Sequence, residues 1–384
     1  MTGTAFEFAT ADRIIVGAGR ASELPRVLAG LGSRVLVCTG ASPSRHADLL
    51  AALELPARVF PVAGEPTIEL ARAATESARE HGADVVAAIG GGSVIDTGKA
   101  VAMLLGNGGD PLDYLEVVGS GRKIARPSAA LIAVPTTAGA GAEVTANAVL
   151  ASLEHGIKAS LRNPLMLPRV ALVDPLLAVS CPPSITAASG IDALTQCLEP
   201  FVSVRANALT DGVAREGLRR AAAGLRRAYV DGADVSARTD MAICSLLGGI
   251  ALANAKLGAV HGMAGVIGGT AHVPHGAACA ALLAPVIEAN GRALLSAGPA
   301  HPALARYAET AQLLTGNLAA TIEDGVAWVH ETVAMLGIPG LGAFGLRPED
   351  ADDVAAKALR SSSMQGNPVP LSHTDLRMIL AQAA

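Results

Sequence analysis

The sequence predicts a chain in two parts: an N-terminal α/β domain on a parallel sheet, residues 1–180, and an all-helical domain, residues 181–384. Three observations carry this. Through the first half, short β-branched runs alternate with helical patterns, the mark of a parallel sheet with crossover helices. Those runs are apolar throughout, as strands covered on both faces are. After "SCPPS" (180–184) the strand signal gives out, and long Ala/Leu-rich segments follow.

In order, the strand runs are "RVLVCTG" (34–40), "ARVFPV" (57–62), "DVVAAIG" (84–90), "AALIAVPTT" (129–137) and "RVALVDP" (169–175). Helical spacing appears at 186–202, 207–229, 236–255 and 318–336. The 384 residues give length for two cores. At 51% hydrophobic but 2% aromatic, those cores are built mainly from Ala, Leu and Val. A ligand is expected in the cleft between the domains, beside the carboxyl ends of the strands.

Composition removes other classes. A net charge of −5 offers no basic surface for nucleic acid. The five cysteines, at 38, 181, 197, 244 and 279, include no C-x-x-C pair. That pattern predicts reduced thiols in a cytoplasmic setting, with neither a disulfide framework nor a cysteine zinc site. The N-terminal "MTGTAFEFATADR" lacks the apolar core of a signal peptide. The least polar stretch, 241–255, holds Asn254 and is closed by Lys256. It falls short of a membrane span and reads as a buried helix.

Two glycine-rich loops compete for a nucleotide. "RIIVGAGRAS" (13–22) mimics G-x-G-x-x-G, but Ser22 replaces the last glycine and no acidic residue stands about 20 positions on. "DVVAAIGGGSVIDTGKA" (84–100) is better: a buried strand runs through Gly90, Gly91 and Gly92 into a helix. Residues without Cβ let backbone N–H groups approach a pyrophosphate, and the helix N-terminus adds favourable partial charge. Ser93 and Asp96 are expected to form a capping box. A P-loop would need glycine where Ser93 stands and a hydroxyl residue where Ala100 stands. In "VPTTAGAGAEVTANAV" (134–149), Thr136 and Thr137 sit at a strand's carboxyl end, where a ligand would be met.

The metal candidates come from the second half. "GIDALTQCLEP" (190–200) puts Asp192 and Gln196 four apart, hence on one helix face, among small and apolar neighbours. "LGAVHGMAGVIGGTAHVPHGAACA" (257–280) carries His261, His272 and His275 in a stretch nearly free of charge. One carboxylate and two imidazoles suit zinc or ferrous iron and leave a position open for substrate.

Taken together, "GGGSVIDTGKA", "PTTAGAGAEVT", "LVDP", "GIDALTQ", "HGMAG" and "PHGA" resemble, in order and over essentially the whole chain, the iron-containing (group III) alcohol dehydrogenases. The resemblance implies that family's fold, shared with dehydroquinate synthase. It implies reversible, metal-dependent hydride transfer between a small alcohol or aldehyde and NAD or NADP. It implies cofactor contacts from Gly91, Gly92, Ser93, Thr136, Thr137, Asn147 and Lys158, and ligation of iron or zinc by Asp192, His261 and His275. A homo-oligomer, a dimer by the commonest symmetry, is expected.

Three departures qualify it. The family usually reads D-A-L-T-H, with a histidine ligand where this chain has Gln196; the amide ligates weakly, water replaces it, or no metal binds. Many members carry a second histidine where Gly265 stands, which leaves His272, water or ribose hydroxyls to relay a proton. NAD-using members often end their second strand in Asp, where this chain has Gly40 followed by "ASPSRH". Loss of that carboxylate admits NADP. The rival readings are a metal-independent reductase of the maleylacetate type and an inactive nucleotide-binding assembly protein.

Overall fold

The computed structural model describes residues 5–155, 157–271 and 273–384, and divides into two compact units. An α/β unit comprises Ala9–Thr137 and Gly141–Val179. A helical unit comprises Ser180–Ala384, the short segment Ala138–Ala140 and the N-terminal stretch ending at Phe8. The division is therefore not collinear with the chain.

The α/β unit contains strands β1 (Arg13–Val16), β2 (Val35–Gly40), β3 (Ala57–Val62), β4 (Val85–Gly90), β5 (Ala130–Pro135), β6 (Asn147–Ser152), β7 (Ile157–Arg162) and β8 (Val170–Val173). Six form one parallel sheet in the order β1-β8-β5-β4-β2-β3, while β6 and β7 pair as an antiparallel hairpin. Its helices are α1 (Leu24–Ala29), α2 (Ala47–Ala51), α3 (Ile68–His81), α4 (Gly92–Asn107) and α5 (Pro111–Tyr114).

The continuous apolar runs follow from burial on both faces. Val35, Val37, Val85 and Ala87 pack with Leu24 and Leu28 of α1. Their neighbours Leu36, Cys38, Val86 and Ala88 pack on the other face with Ala74, Ala78, Val101 and Ala102 of α3 and α4. At Gly98 a Cβ would come within 2.8 Å of Ala88 Cβ, so the missing side chain lets α4 lie directly on β4. The chain runs outward from β2 to β3, then crosses back to β4 and continues to β5 and β8. Strand order thus reverses between β2 and β4, the place where open α/β sheets bind ligands.

The helical unit contains α6 (Pro183–Val202), α7 (Ala208–Val230), α8 (Val235–Ala255), α9 (Ala259–Thr270), α10 (His275–Ala297), α11 (Pro302–Thr315), α12 (Ile322–Met335), α13 (Ala351–Ala358) and α14 (His373–Ala383). Among the described residues it has no strand. Its core is one apolar cluster rich in Ala and Leu. Close approach replaces aromatic bulk: a Cβ on Gly217 would stand 2.3 Å from Cys197 Sγ, so α7 sits tight against α6.

Two expectations need correcting. Helix α8 starts six residues before the apolar stretch 241–255, and at 21 residues it is long and apolar enough to span a membrane, as is α10 at 23. Length does not exclude a span; burial does the arguing, since 67% and 72% of their apolar windows lie inside the protein. The segment 318–336 also overreaches. Helix α12 begins at Ile322, where the Thr321 hydroxyl accepts the Asp324 N–H and caps it.

Candidate metal centre and nucleotide loop

Helix α6 presents Asp192, Gln196 and Glu199 at i, i+4 and i+7, one face of the helix, and buries all three. Helix α9 brings His261, and α10 opens with His275. The His261 Nε2 lies 3.2 Å from Asp192 Oδ1, and His275 Nε2 lies 3.7 Å from the same oxygen. The two rings are 5.4 Å apart between centroids and tilted by 54°. Cys279, one helical turn beyond His275, joins them, with Sγ 3.6 Å from Asp192 Oδ1 and 3.8 Å from His275 Nε2. All four donor atoms lie within 4.8 Å of one another.

Small residues make this convergence possible. A Cβ on Gly276 would fall 2.2 Å from the Ala188 carbonyl oxygen, so only glycine lets the start of α10 reach α6. Glu199 completes the arrangement. Its Oε1 accepts the Val260 N–H at 2.7 Å, and its Oε2 lies 2.7 Å from His261 Nδ1. With Nδ1–H donating to that carboxylate, Nε2 is the nitrogen that faces Asp192 and His275.

The electrostatics of the bare cluster are those of a cation site. Burial pulls the His261 ring down, but its bonds to Asp192 and Glu199 outweigh this and push it up to about 10. Burial would raise Asp192, yet the nearby His275 and His261 hold its carboxyl below the usual range. Burial, with the charges of Asp192 and Glu199, drives the Cys279 thiol well up. One carboxylate oxygen, two imidazole nitrogens and a sulfur form a donor set for zinc or ferrous iron; calcium or magnesium would take oxygens. Gln196 also helps to hold the Asp192 carboxyl low, while its own buried Oε1 has no hydrogen-bond partner. The residues therefore fit a divalent transition metal.

The structure brings together Asp192, His261 and His275, with Gln196 beside them. His272 lies outside the described residues. Cys279 and Glu199 were not singled out from sequence: the absence of C-x-x-C set the thiol aside, and Glu199 showed only as the seventh residue after Asp192.

In the α/β unit, the carboxyl ends of three neighbouring strands carry the nucleotide candidates. Gly40 ends β2, Gly91 and Gly92 follow β4, and Thr136 and Thr137 follow β5, with the Thr136 N–H donating to Gly90 O at 3.0 Å. The expected capping box does not form. Gly91 is the N-cap of α4, so Ser93 already lies inside the helix. Asp96 is instead half-buried and accepts the Val149 N–H at 3.0 Å. The first bonds of α4 run from Val94 and Ile95 to Gly91 O, so the N–H groups of Gly92 and Ser93 are left over at the helix start. Fully buried Lys99 donates to Thr145 Oγ1 and to the Asn147 carbonyl, both at 2.8 Å, which fixes β6 against α4. Lys158, on β7, pairs with Glu65 at 2.5 Å. In the competing loop, Asp174 takes the Gly19 and Ala21 N–H groups at 3.0 and 2.8 Å, so that turn's amides are already satisfied within the protein.

The model of the iron-containing alcohol dehydrogenases matches residues 11–175, and that of the family's C-terminal domain matches 186–384. The chain belongs to the iron-containing alcohol dehydrogenase family. It is 36% identical to alcohol dehydrogenase 4 of Saccharomyces cerevisiae, over 83% of this chain and 80% of that one. The solved structure of a 1,3-propanediol oxidoreductase superposes with a TM-score of 0.90 at 30% identity, covering 99% of this chain and 100% of that one. Sulfoacetaldehyde reductase from Bifidobacterium kashiwanohense in complex with NAD+ gives 0.88 at 27%, covering 99% of each. The parallel-sheet unit and helical unit are that family's architecture, and the protein is an oxidoreductase of the alcohol dehydrogenase type.

Proposed function

We propose that this chain catalyses reversible hydride transfer between a small alcohol or aldehyde and NAD or NADP, with iron or zinc held by Asp192, His261 and His275. The observation that carries the reading is the convergence of those side chains on one point, Asp192 and His261 being buried and 69 residues apart in sequence. When bound, the metal supplies Lewis-acid polarisation of the substrate oxygen, and the nicotinamide supplies the hydride.

The chain's own residues do the positioning. Asp192 offers its charge, and Glu199 fixes the His261 tautomer so that Nε2 faces inward. The His275 side chain, 43% exposed, forms the edge that solvent and substrate reach. At the start of α4, the amides of Gly92 and Ser93, with Gly91, receive the pyrophosphate. Thr136, Thr137, Asn147 and Lys158 contact the rest of the nucleotide. Gly40 puts no carboxylate beside the adenosine ribose, which supports use of NADP. The proton leaves through water, the ribose hydroxyls or His272. A cytoplasmic homodimer is the matching setting.

Purified protein mixed with NADPH or NADH and a panel of aldehydes tests this. Steady cofactor oxidation is expected, and it should vanish in Asp192→Ala and His261→Ala while the circular dichroism stays unchanged. Oxidation that survives both substitutions would favour a metal-independent reductase. No oxidation by the wild type would favour a nucleotide-binding protein without catalysis.

A further inference from the structure

With neutral Gln196 facing the cluster, Asp192, His261 and His275 leave the metal centre one strong donor short, and α6 supplies no other. Helix α10 does. Cys279 stands at i+4 from His275, the spacing that lets two side chains of one helix grip one ion. We propose that the Cys279 thiolate is the fourth protein ligand of the metal, with the substrate oxygen adding as a fifth donor, and that Gln196 is a positioning residue beside Asp192. This rests on the metal centre proposed above and adds to it the identity of the fourth donor.

Distances support it first. Zinc with Zn–S of about 2.3 Å and Zn–N or Zn–O of about 2.0–2.1 Å separates tetrahedral donors by roughly 3.3–3.6 Å. The cluster already shows 3.6 Å from Cys279 Sγ to Asp192 Oδ1 and 3.8 Å to His275 Nε2. The edges from Asp192 Oδ1 to His261 and His275 are 3.2 and 3.7 Å. As a thiol the sulfur makes hydrogen-bond contacts to Asp192 and His275, so it is already aimed at the point on which the other donors converge.

Charge supports it second. Asp192 and a thiolate neutralise a divalent cation in a pocket where Asp192, His261 and Cys279 are all buried. The thiolate puts this second negative charge on the metal itself, whereas the Glu199 carboxylate is committed to the far nitrogen of the His261 ring. On binding, the thiol loses its proton to solvent, and the sulfur lone pair forms the new bond. Gln196, one turn from Asp192 on α6, is buried beside that carboxylate and acts on it. A soft sulfur donor also tilts the centre toward zinc over ferrous iron.

The test is spectroscopic, on full-length protein stripped with a chelator and refilled with Co(II). The wild type should bind one cobalt and show the near-ultraviolet sulfur-to-cobalt charge-transfer absorption of a thiolate ligand. Cys279→Ser should lose that absorption and bind cobalt at least about tenfold more weakly, at or beyond the low end for losing a ligand's hydrogen-bonded support. Gln196→Ala should keep the absorption. X-ray absorption on the zinc-loaded wild type needs no variant, and should find one sulfur at about 2.3 Å among nitrogen and oxygen neighbours. One bound cobalt without the charge-transfer band, or a zinc shell without sulfur, would overturn the Cys279 assignment and leave the metal centre standing. A band that persists in Cys279→Ser also overturns it. Failure of the wild type to bind cobalt or zinc at all would overturn the metal centre together with its fourth ligand.

Discussion

At Glu199 one carboxylate holds both the His261 ring and the Val260 N–H beside it, each at 2.7 Å. Replacing it with glutamine keeps the shape but removes the charge that favours Nδ1–H on the ring. Zinc affinity of Glu199→Gln, measured by competition with a coloured chelator, should fall about 10–100-fold with the fold intact. Unchanged affinity would mean that His261 needs no such support. Gly40 offers a second residue-scale test, because a Cβ there meets nothing within 4 Å. An aspartate fits that space and repels a 2′-phosphate. Gly40→Asp should lower kcat/KM for NADPH about a hundredfold, since opposed like charges cost several kcal/mol. NADH should change little, and equal losses with both would contradict the placement of the ribose. Glu143 gives a pH prediction. Burial pushes its carboxyl from 4.5 to about 7, outweighing its own backbone bond and the Lys99 charge. Below about pH 4.5 the carboxyl is protonated folded or unfolded. As pH rises toward 7, only the unfolded chain gives up the proton, so the stability is lost across that window, by about 3 kcal/mol. Glu143→Gln lacks this slope. The difference in unfolding free energy between the two proteins should shift by about 3 kcal/mol between pH about 4 and about 8, in favour of the variant at high pH. A constant difference would refute the buried, protonated carboxyl.

At the scale of elements, the site depends on how closely helices approach. Alanine at Gly276 would gain about 1 kcal/mol of helix propensity, but its Cβ would fall 2.2 Å from a backbone carbonyl. Backbone cannot swing aside as a flexible side chain does, so overpacking, at about 1–3 kcal/mol and here near the upper end, outweighs that gain. Gly276→Ala should melt earlier and bind metal more weakly, because His275 is adjacent; a variant as stable and as metal-replete as the wild type would contradict this. Elements were legible where the pattern was unambiguous. The runs at β2, β4, β5 and β8 are strands buried as expected, while β3 is a strand at the sheet's edge that leaves Ala57, Val59 and Pro61 exposed rather than covered on both faces. Strand β1 is only the four residues "RIIV", lost beside a glycine motif that drew attention to itself. The β6–β7 hairpin alternates buried and half-buried positions around polar residues, a weaker signal than a doubly buried run. Residue types pointed to Asp192, His261 and His275. Glu199 and Cys279 depend on helix phase, at i+7 from Asp192 and i+4 from His275, and acquire meaning only once α6 and α10 are known to face each other.

At the scale of the whole molecule, the family assignment fixes architecture and reaction type, while Gln196, Gly265 and Gly40 make this member its own case. A ligand that binds only the folded state stabilises it by mass action, by about 4 kcal/mol at a thousandfold excess over its Kd. Zinc added to chelated protein should therefore raise the melting temperature, and Asp192→Ala should show no rise. The central claim is that alcohol and aldehyde chemistry here runs on a metal held by Asp192, His261 and His275. Aldehyde-dependent oxidation of NADPH or NADH, followed before chelation, after it and after re-addition of zinc or ferrous iron, tests that claim most directly. The account predicts loss on chelation and recovery with metal in the wild type, and no recovery in Asp192→Ala. Full activity in protein shown to be free of metal would contradict it.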